Sequence, residues 1–360
     1  MKPLELPGVL TADQLAQTAD HIVSHQQADG LIPWFDGHHG DPWDHVEAAM
    51  ALTTVGRRDE ARHAFTWSAE HQSADGTWPT EILGRTVQDA SVDANQCAYI
   101  AVGMWHHWLV TGDRRFVTAM YPVVRDAIEF VCDLQQPGGA ISWSRSPAGE
   151  ISPDALLIGS SSMVLSLRCA MALADLVGDS QPDWELAAAR LAHAVAVHPD
   201  GFTDQSRYSM EWYYPVLGGA VRGAAGLVHL NRRWDEFVVP GLGARCVSDR
   251  PWVTVAETCE LVLTLDAVGD LRRARTLFDS VQHLRDVDGG FWTGYVWQDE
   301  AIWPEERSTW TAAAVVLAAD ALSSTSSGNG LFRGDGLPGL IRIGAADCSA
   351  QCITLTGDLA

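Results

Sequence analysis

The sequence predicts an all-α protein built as an (α/α)6 toroid, a ring of six helical hairpins with a short irregular C-terminal extension. Three observations predict this fold. Helical segments of alternating character repeat every several tens of residues, short Gly/Asp/Arg joints separate them, and tight turns recur at Asp29, Asp75, Gly138, Asp200 and Asp288. Self-similarity at such a period is typical of repeat architectures.

The predicted hairpins follow one another along the chain, with approximate limits at 11–56, 57–112, 113–178, 181–230, 231–269 and 270–322. In each pair the first helix is the more charged, and the second is small and apolar. Charged helices belong on the outside, and Ala/Gly-rich helices belong inside, where backbones crowd. The first hairpin opens with a capping box at Thr11 and Gln14. Because no convincing alternating β pattern competes, we expect almost no sheet before Ser323.

The composition changes after Ser323, where Ser and Gly become frequent. We therefore divide the chain into a barrel domain, 1–322, and a Ser/Gly-rich linker with a C-terminal tail, 323–360. The final stretch, IRIGAADCSAQCITLTGDLA, predicts a short strand-like appendage or a disordered tail.

Composition and charge narrow the function. The chain has 360 residues, 47% of them hydrophobic, which is ample for a large core. Its formal net charge of -22 disfavours nucleic acid and anionic membranes as partners. The N-terminal residues contain no apolar signal region, and no run is long enough to span a bilayer. The seven cysteines are odd in number and lie mostly in helical patterns, which favours reduced thiols in a cytoplasmic protein. The oligomeric state stays open.

The loops that lead into the inner helices carry the functional signal. In a toroid these loops open on one face and converge on a central funnel, where a ligand would bind. They are rich in acids and flat aromatic residues and have no Gly-rich phosphate loop, which indicates a carbohydrate site. A single Asp there is more often a helix cap, and a Trp can simply plug the mouth. The candidate substrate-binding residues are Trp34, Asp41, His45, Glu47, Glu211, Trp212, Tyr213, Trp292, Trp303 and Glu306.

Glycoside hydrolysis needs two carboxyl groups, one to protonate the leaving oxygen and one to activate water or attack. Asp44 and Glu257 are the predicted catalytic pair, with Asp93 as the substitute. Asp44 lies among other acids, and Glu257 begins an otherwise apolar helix. Because burial raises the pKa of a carboxyl group, we expect Glu257 to be the proton donor.

Neither a metal nor a cofactor is expected. His38 and His39 are adjacent, as are His106 and His107, and neighbouring residues on a helix point to different sides. The pair Cys348 and Cys352 lies in a tail with no histidine nearby. None of these residues has the Cys/His spacing of a zinc site.

Some turn motifs resemble those of a different class of protein. QxxDGxxPW at 26–34, HQSADGTWP and DGGFWTGYVW resemble the Q/G/W repeats of squalene cyclases and prenyltransferases. The Asp-rich motifs of those families are missing, and so is their Asp-x-Cys zinc motif with its distant His. The chemistry of isoprenoids is therefore not expected here.

The whole six-hairpin region is similar to the (α/α)6 glycosidases. The resemblance rests on DPWDHVEAAMAL, DANQCAYIAVGMWHHWLVTGD, SMEWYYPVLGGAVRG and WPEERSTWTAAAVVLAADAL. More narrowly, the sequence resembles the actinobacterial hydrolases of polymethylated mannose polysaccharides, which are often mislabelled prenyltransferase-like. This resemblance implies an intracellular endo-α-mannosidase that cuts α-1,4-linked 3-O-methylmannose chains. Because no His/Cys/Asp cluster has ligand spacing, we expect the activity to be metal-independent, and we expect inversion at the anomeric carbon.

Three alternatives from other classes remain at this point. A polysaccharide lyase would use Tyr, His or Asn chemistry and leave an unsaturated product. A sugar epimerase would place a pair of histidines in the funnel and release no reducing end. A carbohydrate-binding or terpenoid-binding toroid would bind its ligand without turning it over.

Overall fold

The computed structural model describes residues 3–343, and this part of the chain is mainly helical. Its helices are α1 (Ala12–His25), α2 (Pro42–Thr54), α3 (Arg58–His71), α4 (Ala94–Ala98), α5 (Ile100–Thr111), α6 (Arg114–Asp133), α7 (Leu157–Val177), α8 (Pro182–Val197), α9 (Ser209–Leu217), α10 (Gly223–Arg232), α11 (Trp234–Phe237), α12 (Val255–Ala267), α13 (Leu271–Ser280) and α14 (Thr309–Ser323). Its strands are β1 (Glu81–Leu83), β2 (Thr86–Asp89), β3 (Val92–Asp93), β4 (Ser144–Arg145), β5 (Val238–Val239), β6 (Gly243–Arg245), β7 (Trp252–Thr254), β8 (Gly294–Val296) and β9 (Ala301–Ile302).

Six helices pack in cyclic order and form what we call the inner ring. In chain order they are α2, α5, α7, α9, α12 and α14; each contacts the next, and α14 contacts α2. Small residues allow these backbones to approach closely. Gly103 of α5 is an example, because a Cβ atom there would lie 2.5 Å from the Val46 side chain of α2.

The outer helices follow the amphipathic pattern that the sequence predicts. In α6 the buried side chains recur at helical spacing, from Phe116 through Met120, Val124 and Ile128 to Val131. In contrast, every residue of α2 is buried, because outer helices cover one of its sides and the ring interior lies on the other. The outer helices run back between successive inner helices, so all the inner helices run in the same direction.

The recurring Gln-x-x-Asp-Gly turns fasten each hairpin to the next. Gln72 donates hydrogen bonds to the carbonyls of Gly76, at 3.0 Å, and of Val123 in α6, at 2.9 Å. Gly76 has a φ of +82°, and a Cβ atom there would lie 2.2 Å from the Asp126 carbonyl oxygen. The turn therefore requires glycine for both its conformation and its contact.

The same arrangement occurs at the turns of other hairpins. Gln26 and Gln135 donate to carbonyl groups of the following outer helices, α3 and α8. Gly289 in the last hairpin lies against the backbone of Gln17 in α1. The sixth hairpin is thus fastened to the first, and the motif that resembles cyclase repeats has a structural role.

The β content differs from the expectation. Strands β5 to β9 form one antiparallel sheet in chain order, between residues 238 and 302. The prediction of almost no sheet missed it, because strands of two or three residues are too short to show an alternating pattern. This sheet lies in the loops that lead into α12 and α14.

The predicted boundary between the fourth and fifth hairpins is wrong. The fifth hairpin was expected to begin at 231, but Asn231 and Arg232 are the last two residues of α10. The chain turns instead at Gly218 and Gly219, after α9 ends at Leu217, and Gly219 has a φ of +93°. Asp200–Gly201 also departs from the repeat, because it lies in a short 3-10 helix.

Residues 324–343 are irregular and pack against the far end of the inner ring. Leu331 and Phe332 are buried, and Arg333 forms an ion pair of 2.6 Å with Asp266 near the end of α12. Arg222 donates a hydrogen bond of 2.6 Å to the carbonyl of Phe332. This part of the expected linker therefore covers one end of the ring. The cysteines Cys348 and Cys352 lie outside the described residues.

Candidate active site

Two acids occupy the start of α2, and only one of them caps the helix. Asp41 is the N-cap and accepts hydrogen bonds from the amides of Trp43, at 2.9 Å, and Asp44, at 3.0 Å. Asp44 is buried one turn inside, and its pKa is raised well above the usual range by burial and by the charges of Asp41 and Glu47. Asp44 is therefore a carboxyl group that tends to keep its proton.

A second acid follows each of the predicted catalytic residues by one helical turn. Glu47 follows Asp44 on α2, and Glu260 follows Glu257 on α12. Residues three apart lie on the same face of a helix, so each helix presents two carboxyl groups to the ring interior. All four are buried.

Tyrosine hydroxyl groups donate hydrogen bonds to the two deeper acids, Glu47 and Glu260. Tyr213 and Tyr214 donate hydrogen bonds of 2.5 and 2.6 Å to the two carboxyl oxygens of Glu260. Tyr99 donates one of 3.2 Å to Glu47. Burial raises the pKa of Glu47 to about 7, and burial together with the charge of Glu47 raises that of Glu260 well above its usual range.

We call the four buried acids Asp44, Glu47, Glu257 and Glu260 the acidic cluster. Glu260 interacts electrostatically with both Asp44 and Glu257. Glu257 is 6% exposed and hydrogen-bonds the thiol of Cys246, which follows β6. The structure thus brings the predicted pair to one end of the inner ring, on helices that both pack against α14.

Asp93 has a capping role. It is the N-cap of α4, and one of its oxygens accepts hydrogen bonds from the amides of Asn95, at 2.8 Å, and Gln96, at 3.0 Å. Burial raises its pKa to about 6, and the charge of Asp41 acts in the same direction. Asp93 therefore lies at the edge of the acidic cluster, and one of its carboxylate oxygens is used to cap α4.

Three of the candidate substrate-binding residues have structural roles instead. His45 is fully buried, with one ring nitrogen 3.0 Å from the amide of Ile32 and the other 2.9 Å from the carbonyl of Ala64. Trp212 is buried and stacked on Phe237, at 5.3 Å between ring centroids. Tyr213 is fully buried and bonds Glu260. His45 and Tyr213 have no free face for a sugar, so the prediction for these two residues is corrected. Trp212 packs in the core but also lines a cavity.

Glu211 lies away from the acidic cluster, in a lateral cavity that it shares with Trp212, His229 and Arg233. Burial raises its pKa to about 7, and one of its oxygens has no hydrogen-bond partner. Glu211 and Trp212 both precede Tyr213 on α9, but they line this lateral cavity, whereas Tyr213 bonds Glu260. The candidate acids and aromatic residues were expected to converge on one funnel, but Glu211 and Trp212 lie elsewhere.

The remaining aromatic candidates lie nearer the surface. Trp34 donates a hydrogen bond of 3.2 Å to Glu306, and its ring lies 5.7 Å from that of Trp310. Trp303 is 55% exposed and packs edge-on against Trp252. Trp292 is half-buried, with the guanidinium of Arg307 over its ring.

Sequence reasoning missed the deeper acid Glu260 and its tyrosine donors. The signal was present, since Asp44-x-x-Glu47 and Glu257-x-x-Glu260 repeat the same acidic spacing on two inner helices. It also missed a chamber below the acids, which we call the central chamber. Trp43, Tyr99 and Tyr214 form its aromatic walls, and its free space is only about 10 Å³.

The residues described here supply no group of three or more His, Cys, Asp or Glu side chains arranged to hold a metal ion. Contrary to the expectation that no run could span a bilayer, helix α7 is long and apolar enough by length and composition, but 83% of its most apolar stretch is buried inside the protein. Its composition is therefore that of a core helix.

Known structures place the fold among enzymes that act on sugars. A glycosidase variant in complex with glucose superposes with a TM-score of 0.68 at 14% identity, covering 86% of this chain and 96% of that one. A GH63 mannosylglycerate hydrolase from Thermus thermophilus gives 0.65 at 13% identity, covering 84% and 99%. A D-mannose isomerase gives 0.67 at 11% identity, covering 87% and 96%. Likeness at such identity establishes the fold, which hosts more than one chemistry.

The acidic cluster and the sequence relationship together define the class. No protein-family model matches the chain. A curated relative from Mycolicibacterium hassiacum, an MMP endo-(1,4)-3-O-methyl-α-D-mannosidase, is 58% identical over 344 residues, 96% of this chain and 95% of its own length. The protein is a glycosidase. It belongs to the family of the MMP endo-(1,4)-3-O-methyl-α-D-mannosidases.

Proposed function

We propose that the protein is an (α/α)6 toroid that hydrolyses internal α-1,4 bonds in a chain of 3-O-methylated mannose, with inversion at the anomeric carbon. The cyclic packing of the inner helices supports the toroid. The family supports the substrate. The observation that carries the mechanism is the placement of Asp44 and Glu257 at the starts of two inner helices, with Glu260 interacting with both.

The two carboxyl groups take different roles in this proposal. Asp44 donates its proton to the glycosidic oxygen as the bond from that oxygen to the anomeric carbon breaks. Glu257 takes a proton from a water molecule, whose oxygen bonds to the anomeric carbon from the opposite face. The raised pKa of Asp44 is what an acid needs in order to stay protonated near neutral pH. This assignment reverses the sequence-based expectation, which made Glu257 the donor.

The surroundings of the pair suit an uncharged polymer. Trp34 and Trp303 lie near the mouth and offer aromatic surface for sugar rings, and Glu306 offers a carboxylate for hydroxyl groups. Asp41 and Glu47 act on Asp44 rather than on the sugar directly, since Asp41 caps α2 and Glu47 bonds Tyr99.

A sugar epimerase is less well supported. Such an enzyme needs histidines in contact with the sugar. His106 and His107 are buried on α5, 3.4 and 3.3 Å from Thr54 and Thr53 of α2, and burial lowers their pKa values to about 3 and 4. Both histidines pack between α5 and α2, where they do not contact a sugar. A hydrolase is therefore better supported than an epimerase.

The location of the protein in the cell is also a proposal. The cysteines of the described chain, which are Cys97, Cys132, Cys169, Cys246 and Cys259, are all free thiols. Free thiols suit a reducing compartment, so we propose the cytoplasm.

Incubation with α-1,4-linked oligosaccharides of 3-O-methylmannose, followed by mass spectrometry, tests the function. We expect shorter oligosaccharides that have each gained one water. Asp44→Asn and Glu257→Gln should each lower kcat by roughly 10³-fold or more at near-normal melting temperature. Asp93→Asn, which keeps a capping side chain, should retain most of the activity. A product lighter by one water would identify a lyase, and full activity in either variant would remove that residue from the mechanism.

A further inference from the structure

The central chamber has a chemical character that the acids above it do not explain. Its upper part is formed by Glu47 and Glu260, but its lower part is apolar and is lined by Leu165, Leu217 and Leu263. Phe332, from the segment that covers the far end of the ring, also lines it. A carboxylate site for sugar hydroxyls needs no such apolar floor.

One polar atom in this floor has no partner. The hydroxyl of Ser162 on α7 lines the chamber, is buried and makes no hydrogen bond. The residue is 3% exposed. A buried hydroxyl without a partner costs free energy, and a bound ligand with an acceptor atom would relieve that cost.

The size of the chamber restricts what can enter it. Its empty space is divided between side chains, which leaves room for about one water-sized group. A methyl group has that size, whereas a whole sugar ring does not fit. An ether oxygen bearing such a methyl group accepts hydrogen bonds but donates none, so it matches a lone donor hydroxyl set among apolar side chains.

We propose that the central chamber receives the 3-O-methyl group of the sugar at the cleavage site, with the Ser162 hydroxyl donating to the ether oxygen. In an α-1,4 chain, carbons 1 and 4 carry the neighbouring sugars, so a substituent on carbon 3 points away from the direction of the chain. A chain that crosses the acidic end of the ring can therefore direct this substituent down the ring axis. The inference rests on the proposed function and assigns the part of the site that selects methylated sugar.

The test compares two synthetic α-1,4-mannooligosaccharides of equal length, one 3-O-methylated and one not, by kcat/KM. Wild type should prefer the methylated substrate, since one methyl group in a fitted apolar pocket is worth roughly 10–200-fold. Ser162→Ala removes the donor and should lower kcat/KM for the methylated substrate by about tenfold. Ser162→Val adds a methyl group inside the chamber and should lower it further.

Ser166→Ala is the matched control. Ser166 lies one turn further along α7, is equally buried, does not line the chamber, and donates only to the carbonyl of Ser162. It should leave kcat/KM for the methylated substrate and the preference unchanged. An unchanged kcat/KM for the methylated substrate in Ser162→Ala, with a normal melting temperature, overturns the proposal, as does a wild type that cleaves both substrates equally. If Ser162→Val does not fold, Ser162→Ala decides alone. A wild type that cleaves neither substrate contradicts the proposed function instead.

Discussion

At the scale of single residues, Asp41 and Asp44 are three positions apart and have different roles. Asp41 caps α2, and its negative charge helps to raise the pKa of Asp44. If Asp44 is the proton donor, kcat/KM should fall as the pH rises through this raised pKa.

Asp41→Asn should move the alkaline limb of the pH–rate profile to lower pH, because Asn still caps the helix but carries no charge. The pH dependence of kcat/KM measures this. Asp113→Asn, at the N-cap of α6, is the control and should not move the limb. An alkaline limb that stays in place in Asp41→Asn would argue against Asp44 as the donor.

Trp212 and Trp303 were both predicted to bind substrate, but their replacement should affect stability and kinetics differently. Trp212 is buried against Phe237, so Trp212→Ala should destabilise the fold by about 3–5 kcal/mol. Trp303 is exposed, so Trp303→Ala should cost little stability and should raise KM if its ring binds sugar. Thermal unfolding and steady-state kinetics separate the two cases. A Trp212 variant with normal stability and a raised KM would restore its predicted role.

These residues show where sequence reasoning reaches its limit. Consecutive residues of a helix point to different sides, and in Glu-Trp-Tyr-Tyr at 211–214 only packing decides which side faces the ring. The placement of Asp44 and Glu257 was predictable, because each begins an apolar helix of the repeat. Ser162 and Phe332 both line the central chamber although they are 170 positions apart in sequence, so the chamber was not predictable.

At the scale of elements, the Gln-x-x-Asp-Gly turn is a joint between hairpins. Its glycine has a positive φ and also touches the neighbouring outer helix. The repeat itself could be predicted from sequence, since each turn uses local chemistry. The contact to the next helix could not, because it depends on how the hairpins pack.

Gly76→Ala should be more destabilising than Gly178→Ala. Both glycines have nearly the same φ, +82° and +83°, but a Cβ atom at 76 would meet the Asp126 carbonyl at 2.2 Å and at 178 would meet nothing. The difference in unfolding free energy should be about 1–3 kcal/mol. Equal melting temperatures in the two variants would show that the joint does not need the close contact.

At the scale of the whole molecule, a cluster of buried acids lies in a chain with a net charge of -22. Burial raises the folded-state pKa of Glu47 to about 7, above its unfolded value of about 4.5. The folded protein then binds more protons than the unfolded chain between these values. This contribution to stability is full below about pH 4.5 and is lost as the pH rises towards 7.

Glu47→Gln should therefore flatten the fall of unfolding free energy between about pH 4.5 and 7, because it removes one of these titrating groups. Denaturant unfolding at several pH values measures the slope. Glu70→Gln, at an exposed position of α3, should leave the slope as in wild type. A Glu47→Gln slope equal to that of wild type would contradict the raised pKa.

The central claim is inverting hydrolysis by Asp44 and Glu257, and the anomeric configuration of the first product tests it most directly. Proton NMR can follow the reducing end formed in the first minutes of cleavage of a 3-O-methylated α-1,4-mannooligosaccharide. Attack by water from the opposite face predicts that the β-anomer appears first and then equilibrates with the α-anomer. An α-anomer that appears first would mean retention through a covalent intermediate and would contradict the account.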